Sequence, residues 1–151
     1  MVDLVDVLQN EYNIERNKKV SIETRAGVFL TLLFAIIPSY FSVFVSVVNI
    51  YRSFTCLRCF KILLHLGFMI MCILTTLNLV SILLVKNYPN FNVDQMFDSQ
   101  GQTDINEWMC LHYKQLVSEY RKLNIENAIK LKDSIFYIMS IILITIVSHI
   151  I

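Results

Sequence analysis

The chain has 151 residues and a net charge of +1, and 56% of its residues are hydrophobic while only 17% are charged. Globular domains are closer to half apolar and a quarter charged. Three glycines and two prolines are too few for a loop-rich β fold or a low-complexity linker, which leaves a protein with a very large buried core or a membrane protein.

Residues 3–25 form the first predicted element, an amphipathic helix. One stripe of this helix is apolar and holds Leu4, Val7, Leu8, Ile14 and Ile22. The charged residues fall elsewhere and are Asp3, Asp6, Glu11, Glu15, Arg16, Lys18 and Lys19. Acidic residues precede basic ones, which suits the helix dipole. No helix breaker separates this arm from Ala26, so the helix is expected to continue into the apolar run that follows.

Three long apolar runs dominate the rest of the chain, at 26–51, at 62–85 and at 133–151. The first run holds no charged residue, the second is interrupted only by His65, and the third is free of Asp, Glu, Lys and Arg from Ser134. As helices they measure about 39, 36 and 27 Å against roughly 30 Å of bilayer hydrocarbon. The third gains length from a turn at 128–132, whose lysines can extend to the interface. These runs predict an all-α integral membrane protein with three transmembrane helices, and the lipid bilayer as its first partner.

Polar residues of the first transmembrane helix fall on a single stripe below Pro38, which can kink the helix. They are Ser39, Ser42, Ser46, Asn49 and Ser53. Small polar residues on one face of a membrane helix indicate either close helix packing or the lining of a wet path. Packing is the favoured interpretation, and a pore built from several copies remains the alternative. No span contains an acidic residue, which argues against an ordinary proton-coupled transporter.

Residues 87–103 are rich in Asn, Asp, Ser, Pro and Gly and are predicted to form a loop. Thr103 and Asp104 offer a cap for a second amphipathic helix at 104–132. One face of that helix carries Tyr113, Leu116, Val117, Tyr120, Leu123, Asn124, Asn127, Ala128 and Leu131. This face predicts packing within the chain or a coiled coil. The alternative is contact with a partner or with a second copy of the chain. Both amphipathic helices continue into membrane helices and are expected to form a helical stalk.

The basic residues predict the orientation in the membrane. The side that holds the N terminus and the 87–133 segment carries ten of them, namely Arg16, Lys18, Lys19, Arg25, Lys86, Lys114, Arg121, Lys122, Lys130 and Lys132. The opposite side carries only Arg52, Arg58 and Lys61, in the predicted loop at 52–61. The N terminus and both amphipathic helices are therefore expected in the cytoplasm.

Chemistry-bearing motifs are scarce. Cys56 and Cys59 form a single CxxC pair without a second pair, so they predict either a disulfide or two free thiols rather than a zinc site. No phosphate-binding loop, HExxH or GxSxG motif occurs. We expect no enzyme, no cofactor, no metal and no nucleic-acid polymer as a partner.

Two stretches of the chain show a resemblance to a known group of proteins. The segment Glu15–Leu30, with charged residues and then Ala26-Gly27 leading into an apolar helix, looks like the entry to the first span of small bacterial defence membrane proteins. The segment Tyr120–Lys130, with Asn124 and Asn127 ahead of the last span, is similar to their closing helix. These proteins are the transmembrane effectors of CBASS- and Pycsar-type antiphage systems and the related SLATT domains.

The resemblance implies a multi-pass protein of the bacterial inner membrane that forms a homo-oligomer and permeabilises the membrane during abortive infection. The trigger would be a nucleotide second messenger or a sensor protein, and no motif distinguishes the two. The alternative function is a non-toxic anchor or accessory subunit that binds a partner protein through its cytoplasmic helices. A small transporter or channel component is the third hypothesis.

Overall fold

The computed structural model describes residues 4–50, 55–84 and 105–150, with the side chains of 43–50 and 55–58 left out of the description. Three helices occupy these ranges: α1 at Leu4–Ile50, α2 at Thr55–Leu83 and α3 at Ile105–Ile150. No strand occurs in the described ranges, and the protein is all-helical there as the sequence predicts.

Helices α1 and α3 are each continuous over more than twelve turns. Helix α1 passes through Arg25 without a break and also contains Pro38, so the amphipathic arm and the first apolar run form one helix. Helix α3 begins at Ile105, directly after the predicted cap, and joins the second amphipathic segment to the third apolar run. The cap and the predicted loop at 87–103 lie outside the described residues.

Helix α2 begins seven residues before the apolar run that predicts it. The sequence assigns 52–61 to a loop, but Thr55–Lys61 is helical, so that assignment is wrong for these residues. The charge-free run marks the apolar part of the helix and not its ends. Nothing in Thr55–Lys61 breaks a helix, because the segment contains neither Gly nor Pro.

All three helices are long and apolar enough to cross a membrane. In the apolar windows of the three helices, only 11%, 28% and 17% of the residues are buried within the chain. A water-soluble protein would leave this much apolar surface unsatisfied, whereas lipid or further helices would cover it. The fold is therefore compatible with a multi-pass membrane protein.

The first of two compact units contains α1 up to Glu23 and α3 up to Ala128. Its buried or half-buried positions on α1 are Val5, Leu8, Tyr12, Glu15, Lys19, Ile22 and Glu23, and the first six of these form a seam. On α3 the seam continues through Val117, Tyr120, Asn124 and Asn127, all of them buried. Alternating steps of three and four residues are the spacing of left-handed coiled coils. The helices run in the same direction, because Tyr12 contacts Tyr113 and Tyr120 while Glu15 contacts Asn124 further along both.

The apolar stripe assigned to the first amphipathic segment is therefore partly wrong. Leu4, Val7 and Ile14 are exposed, whereas Glu15, assigned to the charged faces, is 3% exposed. The heptad seam explains the difference, because it buries Val5 and Tyr12. The buried stripe is therefore displaced by about one residue from the predicted apolar stripe. Glu15 can be buried in this seam because α3 supplies polar partners at the same level along the two helices.

The second compact unit contains α1 from Thr24, all of α2, and α3 from Ile129. Its core cluster is formed by Leu33, Tyr40, Phe68, Cys72 and Ile141. The rings of Tyr40 and Phe68 stack with centroids 3.7 Å apart, and the Tyr40 hydroxyl shares a hydrogen bond with Ser148. This core therefore joins all three helices through one aromatic pair and one polar contact.

Candidate functional site

The first unit contains a polar cluster in the seam between α1 and α3, formed by Glu15, Lys18, Arg121 and Asn124. Asn124 Nδ2 donates to the backbone oxygen of Glu15 at 2.8 Å and to Glu15 Oε2 at 3.0 Å. Both residues are almost fully buried, at 5% and 3% exposure. A buried carboxylate requires such donors, since burying it without them costs several kcal/mol, on the order of the desolvation penalty of an ion.

Two cations complete the surroundings of the Glu15 carboxylate. Lys18 Nζ donates to Oε1 at 2.8 Å, and Arg121 Nε lies 3.6 Å from the same oxygen. Arg121 also extends its Nη2 to within 3.6 Å of Glu11 Oε2 at the surface. The guanidinium therefore bridges a buried and an exposed carboxylate of α1.

The pKa of Glu15 is lower than its ordinary value. Burial by itself raises this pKa, but the hydrogen bonds from Lys18 and Asn124, together with the charges of Lys18 and Arg121, outweigh burial. Glu15 is therefore ionised at neutral pH. A buried, ionised carboxylate with fixed partners holds α1 and α3 of this unit in one alignment, the best-attested role of a polar group in a coiled-coil seam.

The residues predicted to contact a partner or a second copy lie along this same seam. Leu116, Val117, Tyr120, Asn124 and Asn127 are buried, and Tyr113 is half-buried. The Tyr12 ring lies 6.0 Å from that of Tyr113 and 5.4 Å from that of Tyr120. These side chains thus pack within the chain, and their contact with another chain stays a prediction.

The predicted serine stripe of α1 is described only in part. Ser39 and Ser42 are exposed in the second unit, and their hydroxyls donate to backbone oxygens of α1 itself, Ser39 to Ala35 at 3.4 Å and Ser42 to Ser39 at 2.9 Å. The side chains of Ser46 and Asn49, and all of Ser53, lie outside the described residues. The hydroxyls of Ser39 and Ser42 are hydrogen-bonded to the backbone of their own helix, so they are not unsatisfied polar groups. The two residues therefore form a face of small side chains at little energetic cost in lipid.

Sequence reasoning missed Glu15 and Arg121 as members of a site. Glu15 was assigned to the charged faces of the first amphipathic helix, where most charged residues are solvated, and Arg121 was counted only among the basic residues that predict the orientation. The available signal was the spacing of Leu8, Tyr12 and Glu15, which matches that of Tyr120, Asn124 and Asn127. Two such heptads, one with an acid and the other with two amides, predict polar contacts within a seam.

Each unit contains a concavity among its described residues. In the first unit, a groove of about 610 Å³ runs between α1 and α3, and we call it the α1–α3 groove. It is lined mainly by Leu4, Leu8, Leu111, Val117, Glu11 and Arg121. In the second unit, a smaller pocket of about 310 Å³ between α1 and α2 is lined almost entirely by apolar side chains.

The thiols do not define a metal site in the described part of the chain. Cys59, Cys72 and Cys110 are free there, and the Cys56 side chain lies outside the described residues, so its predicted pairing is not addressed. No group of three or more His, Cys, Asp or Glu residues among those described could hold a metal ion.

These features define the protein at the level of a class, a helical protein with three helices of membrane-spanning length and a polar cluster in its amphipathic part. No protein-family model, curated protein or solved structure matches the chain.

Proposed function

We propose that this protein is a bacterial inner-membrane effector of antiphage defence that self-associates and makes the membrane permeable when triggered. The observation that carries this proposal is the large apolar surface that the three helices leave uncovered. Lipid covers part of such a surface, and further copies of the chain cover the rest.

The exposed Ser39 and Ser42 support self-association inside the membrane. Hydrophobicity does not drive helices together in lipid, so association depends on close packing, which small side chains allow. A ring of copies that meet along this face would also line its centre with hydroxyl groups, which suits a wet path. The resemblance to CBASS- and Pycsar-type effectors supplies the biological setting, in which a nucleotide second messenger or a sensor protein acts as the trigger.

The orientation belongs to the same proposal. With the N terminus in the cytoplasm, the first unit faces the compartment where a phage-induced signal arises. Ten of the thirteen Lys and Arg residues then lie on the cytoplasmic side.

A second candidate function is a non-toxic anchor that holds a partner protein. The observation that favours it is the α1–α3 groove, because an open apolar groove in an amphipathic unit suits a helix of another protein. Under this function, the three apolar helices serve only to fix the unit at the membrane.

One experiment separates the two functions. The chain is expressed from an inducible promoter, and growth and membrane potential are followed with and without phage infection. The effector proposal expects depolarisation and growth arrest that depend on infection or on high expression. Normal potential under every condition, with the chain present in the membrane, would reject the effector and favour the anchor.

A further inference from the structure

The charged residues that line the α1–α3 groove indicate what kind of molecule binds there. We propose that the groove is the contact through which two copies of this chain dock, with α1 of each copy against α3 of the other. This inference concerns the assembly step of the proposed function, and it specifies the surface and the geometry that the proposed function leaves open.

Exposed apolar side chains line the groove and occur elsewhere on the first unit. Leu4 and Leu111 line the groove and are 61% and 62% exposed, and Val7, Ile14 and Ile125 of the same unit are also exposed. All of them lie outside the apolar run of their helix. In water, a cluster of this kind is typical of a contact surface.

The charges at the groove are arranged in a way that complements a second copy. Glu11 stands on the α1 side, whereas Lys114 and Arg121 stand on the α3 side. Glu11 and Arg121 lie at the same height, since their side chains are 3.6 Å apart. Among the residues that line the groove, α1 therefore presents a negative charge and α3 presents two positive charges.

The membrane limits how two copies can meet. Copies inserted in the same orientation are related by an axis along the membrane normal, so α1 has the same sense in both copies, and so does α3. A two-fold axis at the groove places α1 beside the second copy's α3. Glu11 and Arg121 of both copies then alternate in sign around the axis, so that each carboxylate lies between two guanidinium groups.

The other parallel arrangement is less favourable. If α1 packed against α1 of the second copy, each Glu11 would face an identical Glu11, and like charges at facing positions are repulsive. The same holds for Arg121 if α3 packed against α3. The charge pattern therefore favours the crossed arrangement.

Disulfide cross-linking between two differently tagged full-length copies in membranes tests this arrangement. All four native cysteines are replaced by alanine, one copy carries Val7→Cys and the other carries Ser118→Cys. Both positions are exposed and uncharged. Ser118 lines the groove, and Val7 lies about one helical turn from both Leu4 and Glu11, which also line it. The expected result is a mixed dimer that forms several times faster than either Val7→Cys or Ser118→Cys with itself.

The matched control pair is Asn13→Cys with Glu126→Cys, exposed positions that do not line the groove. Equal cross-linking of the control pair, faster pairing of identical cysteines, or no cross-link at all would each overturn the proposal. Groove cysteines that are shielded from a thiol reagent without cross-linking would also overturn it, because another partner would then cover the groove.

Charge variants give a second readout in a titration of cross-linking against the protein-to-lipid ratio. Glu11→Lys is expected to weaken association about fivefold, the scale of one surface ion pair, with Glu11→Gln in between. Glu126→Lys serves as the control without effect. Unchanged association of Glu11→Lys would contradict the crossed arrangement. Depolarisation that persists without groove cross-linking would refute this surface alone, whereas cross-linking without depolarisation would refute the proposed function alone.

Discussion

At the scale of single residues, Asn124 is the group on which the polar cluster depends most. It donates to both the backbone oxygen and the carboxylate of Glu15. Asn124→Ala leaves these buried acceptors short of donors, so we expect the first unit to lose about 1–3 kcal/mol of stability. Fluorescence of Trp108, the only tryptophan of the chain, reports unfolding of this unit in denaturant titrations.

The matched control is Asn13→Ala, an exposed asparagine on the same unit, which should leave the transition unchanged. The double variant Glu15→Leu with Asn124→Leu should recover most of the loss, since replacing both partners removes the buried polar groups together. Equal stability of Asn124→Ala and Asn13→Ala would contradict the assigned role of the cluster.

Glu15 also makes a prediction about pH. Its pKa in the folded chain lies below the ordinary value of 4.5, because hydrogen bonds and cations outweigh burial. The stability it contributes is therefore present above pH 4.5 and is lost as the pH falls through the folded-state pKa. The Glu15→Gln variant should be less stable than the wild type at neutral pH. Its stability should also fall less than that of the wild type on acidification, as measured by unfolding followed through Trp108 fluorescence. A wild-type and a Glu15→Gln profile that run parallel would exclude this linkage.

At the scale of helices, the exposed serines of α1 predict an effect on assembly. Ser39→Leu with Ser42→Leu replaces a small face by bulky side chains and should reduce oligomer formation while leaving insertion intact. Oligomer size in mild detergent and membrane association of the expressed chain measure the two effects. Ser140→Leu on α3, where the hydroxyl also bonds to its own helix, is the control. Unchanged oligomers in the double variant would show that this face is not a contact.

Helix type and length could be predicted because charge-free runs and unbroken amphipathic patterns are local properties of the sequence. Which face of an amphipathic helix is buried is not local, because it depends on the neighbouring helix. Asn124 on α3 makes burial of Glu15 tolerable on α1, and no window around Glu15 contains that information. The start of α2 was missed for a related reason. Apolar content marks the part of a helix that suits lipid, whereas the helix itself extends as far as its backbone hydrogen bonds continue.

At the scale of the whole molecule, orientation makes a prediction that single-cysteine variants can test. A chain that retains only Cys59 should react with a membrane-impermeant maleimide in intact cells, since Cys59 is exposed and is assigned to the outer side. A chain that retains only Cys110, a partly exposed thiol of the first unit, should react only after the cells are opened. The reverse pattern would place the N terminus outside and contradict the proposed access of the first unit to a cytoplasmic trigger.

In the proposed mechanism, copies of the chain associate through surfaces that the apolar helices leave uncovered, and the membrane barrier is lost as a result. The most direct measurement records membrane potential and, in the same cells, cross-linking of the Val7→Cys and Ser118→Cys chains by a membrane-permeant bismaleimide, which joins two thiols without an oxidant, before and after phage infection. The mechanism predicts that depolarised populations contain cross-linked chains and that both signals rise together. Cells that keep a normal potential under every trigger, while the chain is inserted and cross-linked, would contradict it.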